Sequence, residues 1–597
     1  MPNFKNLMFL FVLFGVAALI ISFQISGKSS TRKYLNDQTG YYPSSNYYKL
    51  TAGQLENVKK KLTNLTLREK IAQMVISNSL GENYDEESAE YKRLKKLCTN
   101  TKVGGFIFFK GTSAGYSELS NKLQRFSETP LLISADFERG TGMRVTDGTL
   151  FPNNMAIGAA NNTELAYKMG LSIASETRAL GIHQNYAPVC DVNNNPNNPI
   201  INVRSFGEDP ELVSRMSEAM IKGLQDGKVI ATAKHFPGHG DTEIDSHNDL
   251  PVLNFSMDRL NKIELVPFKN SIEKNVMSVM IAHLSFPELE SKPNVPASLS
   301  ENIVNGLLIN QLGFKGLVVT DALNMKGITK YFSTSEVAVM CLNAGIDLIL
   351  MPINEEETVS AIENAVNNGV ITEERINQSA EKILKAKEWL GLFKNKYVNE
   401  DEVSSKVNTA ESNKLAQQIA DGSITLVKDD NNILPLKSKD EKTIVFNLSD
   451  GKDNINSDYF SNKIKETNNN TEIIDIVSEI PSGEFTELFA ESTAYKVVIV
   501  AIYAKVRYGT GKISINSSHV KLLNSMDKIG KKLIVISFGN PYLLEEFSNI
   551  SNYICAYGDA DVSINSAIKA IYGDIKFKGR LPVSINDSFK FGSGISK

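Results

Sequence analysis

"VIATAKHFPGHGDTEIDSH" (Val229–His247) opens as an unbroken apolar run and then turns abruptly into chemistry. An apolar run of this length without polar alternation suits a strand buried on both faces, as in a parallel sheet. The strand ends at Lys234-His235. Pro237 and Gly238 follow at once and exclude a continuing helix. Three of the chain's six histidines, two aspartates and a glutamate fall in the fourteen positions from Lys234 to His247. A metal site, a general acid/base and a satisfied structural loop are all consistent with such a cluster, and the rest of the chain decides among them.

Working outward, the same kind of run recurs. "MVIS" from Met74, "VGGFIFF" from Val103, "LLISAD" from Leu131 and "HQNYAPV" from His183 precede it. "VMIAHL" from Val279, "GLVVTD" from Gly316 and "DLILMP" from Asp347 follow it. Amphipathic stretches separate these runs. Eight strand-helix units over roughly 250–350 residues predict a (β/α)8 TIM-like barrel. Four of the strands end in Asp136, Lys234-His235, His283 and Asp321. In such barrels the C-terminal strand ends form the active face, so these side chains should converge. For any one of them a turn or helix-cap role competes, and their equivalent positions favour a site. "SLSE" (Ser298–Glu301) reads as a capping box opening the next helix. A helix from Glu373 to Leu392 closes the barrel.

A second α/β pattern begins near Asn413. "ITLVKD", "TIVFNL", "EIIDIV", "KVVIVAIY", "KLIVISF" and "YICAY" alternate with helical stretches and predict a three-layer αβα sandwich with a mostly parallel sheet. It holds no GxGxxG or P-loop, so nothing supports a nucleotide cofactor. "YGTGK" (Tyr508–Lys512) reads as a plain turn. At 597 residues two large domains are expected. The expected organisation is a segment 1–27, a linker 28–50, a barrel 51–395, a linker 396–412 and a sandwich 413–597.

A net charge of −4 with no basic stripe excludes an electrostatic nucleic-acid footprint. Cys98, Cys190, Cys341 and Cys555 lie far apart and read as buried free thiols. The apolar run Leu7–Phe23 is near the about 17–25 residues that span a bilayer. No small-x-small cleavage site follows it, so an uncleaved anchor is favoured, with cleaved secretion as the alternative. Both place the working part outside the cytoplasm, with membrane contact through this segment alone.

His235 and His239 have the i, i+4 spacing of a zinc helix, but Pro237-Gly238 breaks that geometry and no cysteine ligand is near. No metal is therefore expected. Asp245-Ser246-His247 places a carboxylate two residues from an imidazole, a spacing that allows it to fix the ring's tautomer and raise its basicity. A pair that merely holds the loop is the competing reading.

The run Lys234–His247 resembles the signature of the β-N-acetylglucosaminidases of glycoside hydrolase family 3. The resemblance extends to "SADFERGTGMR" (134–144), "APVCDVNNNPNNPIINVRSFGEDP" (187–210) and "GLVVTDALNM" (316–325), and "GDIKFKGRLPVSI" resembles the end of that family's second domain. It implies a retaining exo-acting enzyme on N-acetylglucosaminides such as peptidoglycan fragments, with no cofactor. Asp321 would be the nucleophile, and His247 with Asp245 the acid/base dyad. Asp136, Arg144, Arg204, Lys234 and His235 would bind the terminal sugar, and His239 would shape the loop. An ion pair of Arg204 with Glu208 or Asp209 is the structural alternative for that residue. "DFERG" replaces a "DQEGG"-like run, so Phe137 and Arg139 should alter the edge of the site. β-Glucosidases and β-xylosidases of the family usually draw the acid/base from a carboxylate outside the barrel and lack the Asp-x-His loop. Phosphorolysis is a further alternative, because a neutral imidazole repels phosphate less than a carboxylate does. A non-catalytic cell-wall sugar-binding protein would have no use for a nucleophile.

Overall fold

A computed structural model describes residues 47–243, 249–451, 455–481, 483–505, 513–528, 532–547 and 549–597. The apolar run Leu7–Phe23, the dyad Asp245/His247 and the turn Tyr508–Lys512 lie outside them. The chain divides into two compact units, Met1–Lys49 and Leu50–Lys597. Of the first, residues 47–48 form a turn. The second contains both sheets.

Eight parallel strands form the first sheet: β1 (Val75–Gly81), β2 (Gly105–Gly111), β3 (Leu132–Ala135), β4 (Gln184–Asn185), β5 (Ile230–Phe236), β6 (Ser278–Ile281), β7 (Leu317–Thr320) and β8 (Ile349–Leu350). Their order is β7-β6-β5-β4-β3-β2-β1-β8. A bridge between Val319 and Leu348 brings β8 to β7 and closes the barrel. Every residue of β5 is buried, which is why it lacks polar alternation.

Helices between the strands cover the barrel. Pro210–Asp226 starts on an Asp209 cap with proline at the first position and turns Leu212, Val213, Met216, Met220, Ile221 and Leu224 inward. It crosses Thr163–Ala179 where each helix has a glycine. A Cβ on Gly170 would lie 2.5 Å from the Met220 carbonyl, and one on Gly223 2.2 Å from that of Tyr167. The expected closing helix is Glu373–Trp389. The expected capping box at Ser298–Glu301 does not form. Ser298 sits in a short turn, Ala297–Leu299, with its hydroxyl 2.8 Å from His283 Nδ1. Ser300 receives the Ile303 N–H instead.

The second sheet comprises β9 (Thr425–Asp429), β10 (Thr443–Leu448), β11 (Thr471–Ile476), β12 (Val497–Ile502), β13 (Lys532–Ser537) and β14 (Asn552–Cys555). Its order is β11-β10-β12-β13-β14-β9, with only β9 antiparallel. Alternate strand residues feed apolar layers on its two faces. One layer includes Met155, Ala156, Ala159 and Val203, from a helix and a turn of the barrel domain, beside Tyr542, Tyr557 and Leu581, so the two domains share a core. All four cysteines are buried and free. Among the described residues no helix is long and apolar enough to cross a membrane.

Candidate active site

Lys234 and His235 are consecutive, and a regular strand would aim them at opposite faces. The β5–β6 register shifts between Ala233 and Phe236, which breaks that alternation. Both residues then engage the C-terminal rim of the barrel. Lys234 Nζ lies 2.8 Å from Asp136 Oδ1, just beyond β3, and 2.9 Å from Glu138 Oε1. His235 Nδ1 lies 2.7 Å from Asp191 Oδ2, beyond β4.

Asp136 and Glu138, two residues apart on an extended segment, both turn toward β5. Asp136 is the more exposed of the two. Its second oxygen is 3.8 Å from Arg144 Nη2, and the Arg144 guanidinium lies over the Phe109 ring at 5.4 Å. Glu138 is buried and receives Arg204 through two nitrogens, Nη2 at 2.6 Å and Nε at 3.0 Å. Burial pushes the Glu138 carboxyl up, but Arg204 and Lys234 outweigh it and hold the group well below the usual carboxylate range. The same two carboxylates raise the Lys234 ammonium against the opposing effect of burial. Two carboxylates thus meet Lys234 and Arg204 directly, with Arg144 as a third cation farther from Asp136. Removing one member of such a buried pair leaves an uncompensated charge, at a cost of about 3–5 kcal/mol.

Arg204 is therefore ion-paired, but not with the partners considered from sequence. Glu208 accepts the backbone N–H of Ser584 at 2.7 Å and its hydroxyl at 2.5 Å. Asp209 is committed to capping its helix. Phe137 also departs from expectation. It is fully buried, with its ring 6.2 Å from that of Tyr116, and contributes to the core rather than to the edge of the site.

Asp321 follows β7, and its Oδ1 accepts the N–H of Ala322 at 2.8 Å. Burial would raise its carboxyl, but the positive potential of His235, His283 and Lys234 and that backbone N–H bring it down to about 2. The group is thus ionised over the whole neutral range. His283 is oriented by Ser298 on one ring nitrogen and stands 3.1 Å from the Ala322 carbonyl on the other.

His239 donates its backbone N–H to Asp191 Oδ1 at 2.7 Å, and its carbonyl accepts from Asn198 at 2.9 Å. Its ring, 3.1 Å from the Thr242 hydroxyl, is pushed down to about 4 by burial and by neighbouring His235. Among the described residues no group of three or more His, Cys, Asp or Glu side chains is placed to hold a metal ion.

Six of the eight residues singled out from sequence, Asp136, Arg144, Arg204, Lys234, His235 and Asp321, fall on this rim. Asp245 and His247 lie outside the described residues. Glu138 and Asp191 were not singled out, and Ser298 was read only as a helix cap. The i, i+2 spacing from Asp136 was the available signal for Glu138, whereas nothing local marked Asp191 or tied Ser298 to His283.

A closed parallel barrel that presents an ionised carboxylate and a belt of charged, hydrogen-bonding side chains at its C-terminal rim has the layout of a barrel enzyme's active site. The chain belongs to glycosyl hydrolase family 3. Residues 66–386 match the family's N-terminal domain and residues 424–591 its C-terminal domain. It is 29% identical over 553 residues to beta-hexosaminidase A of Pseudoalteromonas piscicida, covering 83% of this chain and 91% of the relative. The solved family 3 beta-N-acetylglucosaminidase from Paenibacillus sp. str. FPU-7 superposes with a TM-score of 0.77 at 32% identity, over 87% of this chain and 99% of that one. A beta-glucoside phosphorylase superposes with a TM-score of 0.81 at 27% identity, over 90% and 98%. The protein is a glycoside hydrolase of this two-domain type.

Proposed function

We propose that the protein is a retaining exo-β-N-acetylglucosaminidase that releases terminal N-acetylglucosamine from peptidoglycan fragments. The observation that supports this reading is the ionised Asp321 facing the same rim as Asp136, Lys234, His235 and Arg204. A carboxylate held at about 2 is poised to attack an anomeric carbon and form a glycosyl-enzyme. His247, oriented by Asp245, protonates the leaving oxygen and then activates water. An imidazole starts near the operating pH, whereas a carboxylic acid would need its pKa raised. Asp136 accepts from adjacent sugar hydroxyls, and Lys234, His235, Arg144 and Arg204 donate to hydroxyl or acetamido oxygens. The beta-hexosaminidase and beta-N-acetylglucosaminidase among its relatives support the choice of sugar. The apolar run Leu7–Phe23 supports an extracytoplasmic setting, anchored or secreted.

Phosphorolysis is the second reading, favoured by the structural similarity to a beta-glucoside phosphorylase. One assay separates the two. An aryl N-acetylglucosaminide should be cleaved far faster than the aryl glucoside, at a rate indifferent to phosphate, with free sugar as product. Equal kcat/KM on the two glycosides would overturn the sugar assignment, and a sugar 1-phosphate product would overturn hydrolysis.

A further inference from the structure

Glu138 is buried beneath the rim, and its two oxygens meet three donor nitrogens. Oε1 accepts from Arg204 Nη2 at 2.6 Å and pairs with Lys234 Nζ at 2.9 Å, while Oε2 accepts from Arg204 Nε at 3.0 Å. Its side chain is 5% exposed, against 20% for Asp136. The three side chains come from separate parts of the barrel: the segment after β3, the end of β5 and the turn Asn202–Arg204.

We infer that Glu138 is a positioning residue for the sugar-binding rim, acting through Lys234 and Arg204 without touching the sugar. The inference rests on the reading that Asp136, Lys234 and Arg204 engage the terminal sugar. A guanidinium held at two of its nitrogens is fixed in plane and direction, which a single contact does not achieve. The ammonium of Lys234 is shared between Glu138 below and Asp136 above, so it cannot settle wholly on Asp136. Without the lower carboxylate, Lys234 and Arg204 would join Arg144 in facing Asp136 alone. They would be drawn to Asp136 and would occupy the lone pairs that sugar hydroxyls require. Glu138 thus sets the geometry of the donors and keeps the acceptor open.

The test uses the full-length enzyme, the aryl glycoside it cleaves fastest and free N-acetylglucosamine as competitor. Glu138→Gln keeps the shape and removes the charge. Its kcat/KM should fall about 10²-fold, the scale of a misplaced binding group. KM and the competitor's Ki should rise together by most of that factor, with kcat changed far less. Combining it with Arg204→Met should add little to the larger single loss, because the two residues act as one unit. Glu138→Asp, which keeps the charge but withdraws it by one methylene, should lose about 10-fold and serves if the glutamine variant does not fold. Wild-type Ki in a folded Glu138 variant, or fully additive losses with Arg204→Met, would overturn the inference. Asp136→Asn in the same assay separates this failure from a failure of the site reading. If Asp136→Asn also leaves Ki unchanged, the rim does not bind the sugar and both fall. If Asp136→Asn weakens binding and Glu138→Gln does not, only the positioning role falls.

Discussion

His235 Nδ1 lies 2.7 Å from Oδ2 of Asp191, and the other oxygen of the same carboxylate receives the His239 N–H at 2.7 Å. The His235 backbone N–H reaches Asp191 as well, at 3.2 Å. One buried carboxylate thereby fixes a rim imidazole and the start of the loop that leads to Asp245 and His247. Burial pushes the Asp191 carboxyl up, but His235 and His239 outweigh it, so its pKa is lowered in the folded protein. A depressed carboxylate stabilises the fold above its unfolded value, near pH 4 on the usual scale of about 3.9, and that contribution is lost as pH falls through the folded value. Asp191→Ala should therefore lower stability at pH 7, by about 1–3 kcal/mol for each donor left unsatisfied. The deficit relative to wild type should shrink toward pH 3. Urea denaturation across this range checks the sign, and a deficit that grows on acidification contradicts it.

Asp321 yields a prediction about the activity profile. Held at about 2, it is ionised across the neutral and mildly acidic range, so it should not set the acid limb of kcat/KM. Asp321→Asn should lose about 10⁴-fold or more on every substrate, the scale seen when a covalent nucleophile is removed. The residual activity should keep the wild-type pH dependence. An acid limb that vanishes in this variant would mean that Asp321 itself titrates there.

The sandwich grips the barrel segment that carries Asp191 and Arg204. Asn193 Nδ2 donates to the Tyr542 hydroxyl at 2.9 Å, and Asn202 Nδ2 donates to Asn540 Oδ1 at 3.4 Å. Glu208 is tied to Ser584 farther along. Tyr542→Phe removes one buried hydroxyl and should cost about 1 kcal/mol, or more if the Asn193 amide stays unsatisfied. Its effect on kcat/KM should exceed its effect on thermal stability, because the lost contact is two residues from Asp191. Unchanged kinetics alongside a lowered Tm would confine Tyr542 to holding the domains together.

Most of the barrel and sandwich strands were legible in the sequence because parallel strands buried on both faces are written as continuous apolar stretches, whereas β4 is the polar pair Gln184–Asn185, β9 runs antiparallel and β11 is partly exposed. Residues at strand ends were legible for the same reason: Asp136, Lys234, His235, His283 and Asp321 terminate runs whose length is fixed by the barrel. What the sequence hid is pairing across the fold. Asp191 meets His235 from 44 positions away, and Arg204 meets Glu138 from 66. Its sequence neighbours Glu208 and Asp209 looked like partners, yet one is committed to the sandwich and the other to a helix cap. Ser298 looked like a cap because its local pattern is a capping box, while a histidine 15 residues earlier takes its hydroxyl. Phe137 looked like a residue of the site's edge because it departs from the "DQEGG"-like run that the resemblance implies, but alternation along the segment sends it to the core.

The last prediction separates the two halves of the chemistry. If His247 donates the proton, its removal should matter in proportion to the leaving group's need for one. His247→Ala should lose about 10²–10⁴-fold on sugar aglycones, the usual scale of general acid/base catalysis. A dinitrophenolate departs unaided, so with that substrate glycosylation of Asp321 should survive while deglycosylation stalls for want of a base. The expected trace is a burst of phenolate followed by a slow steady state, and azide should accelerate turnover by attacking the glycosyl-enzyme directly. Asp245→Asn should show a weaker version, because the imidazole remains but is less basic and less well oriented. The same loss on activated and unactivated substrates, without burst or azide rescue, would remove His247 from proton transfer. The acid/base would then have to be found among the carboxylates at the rim, where Glu138 is already committed to two cations and Asp321 stays ionised.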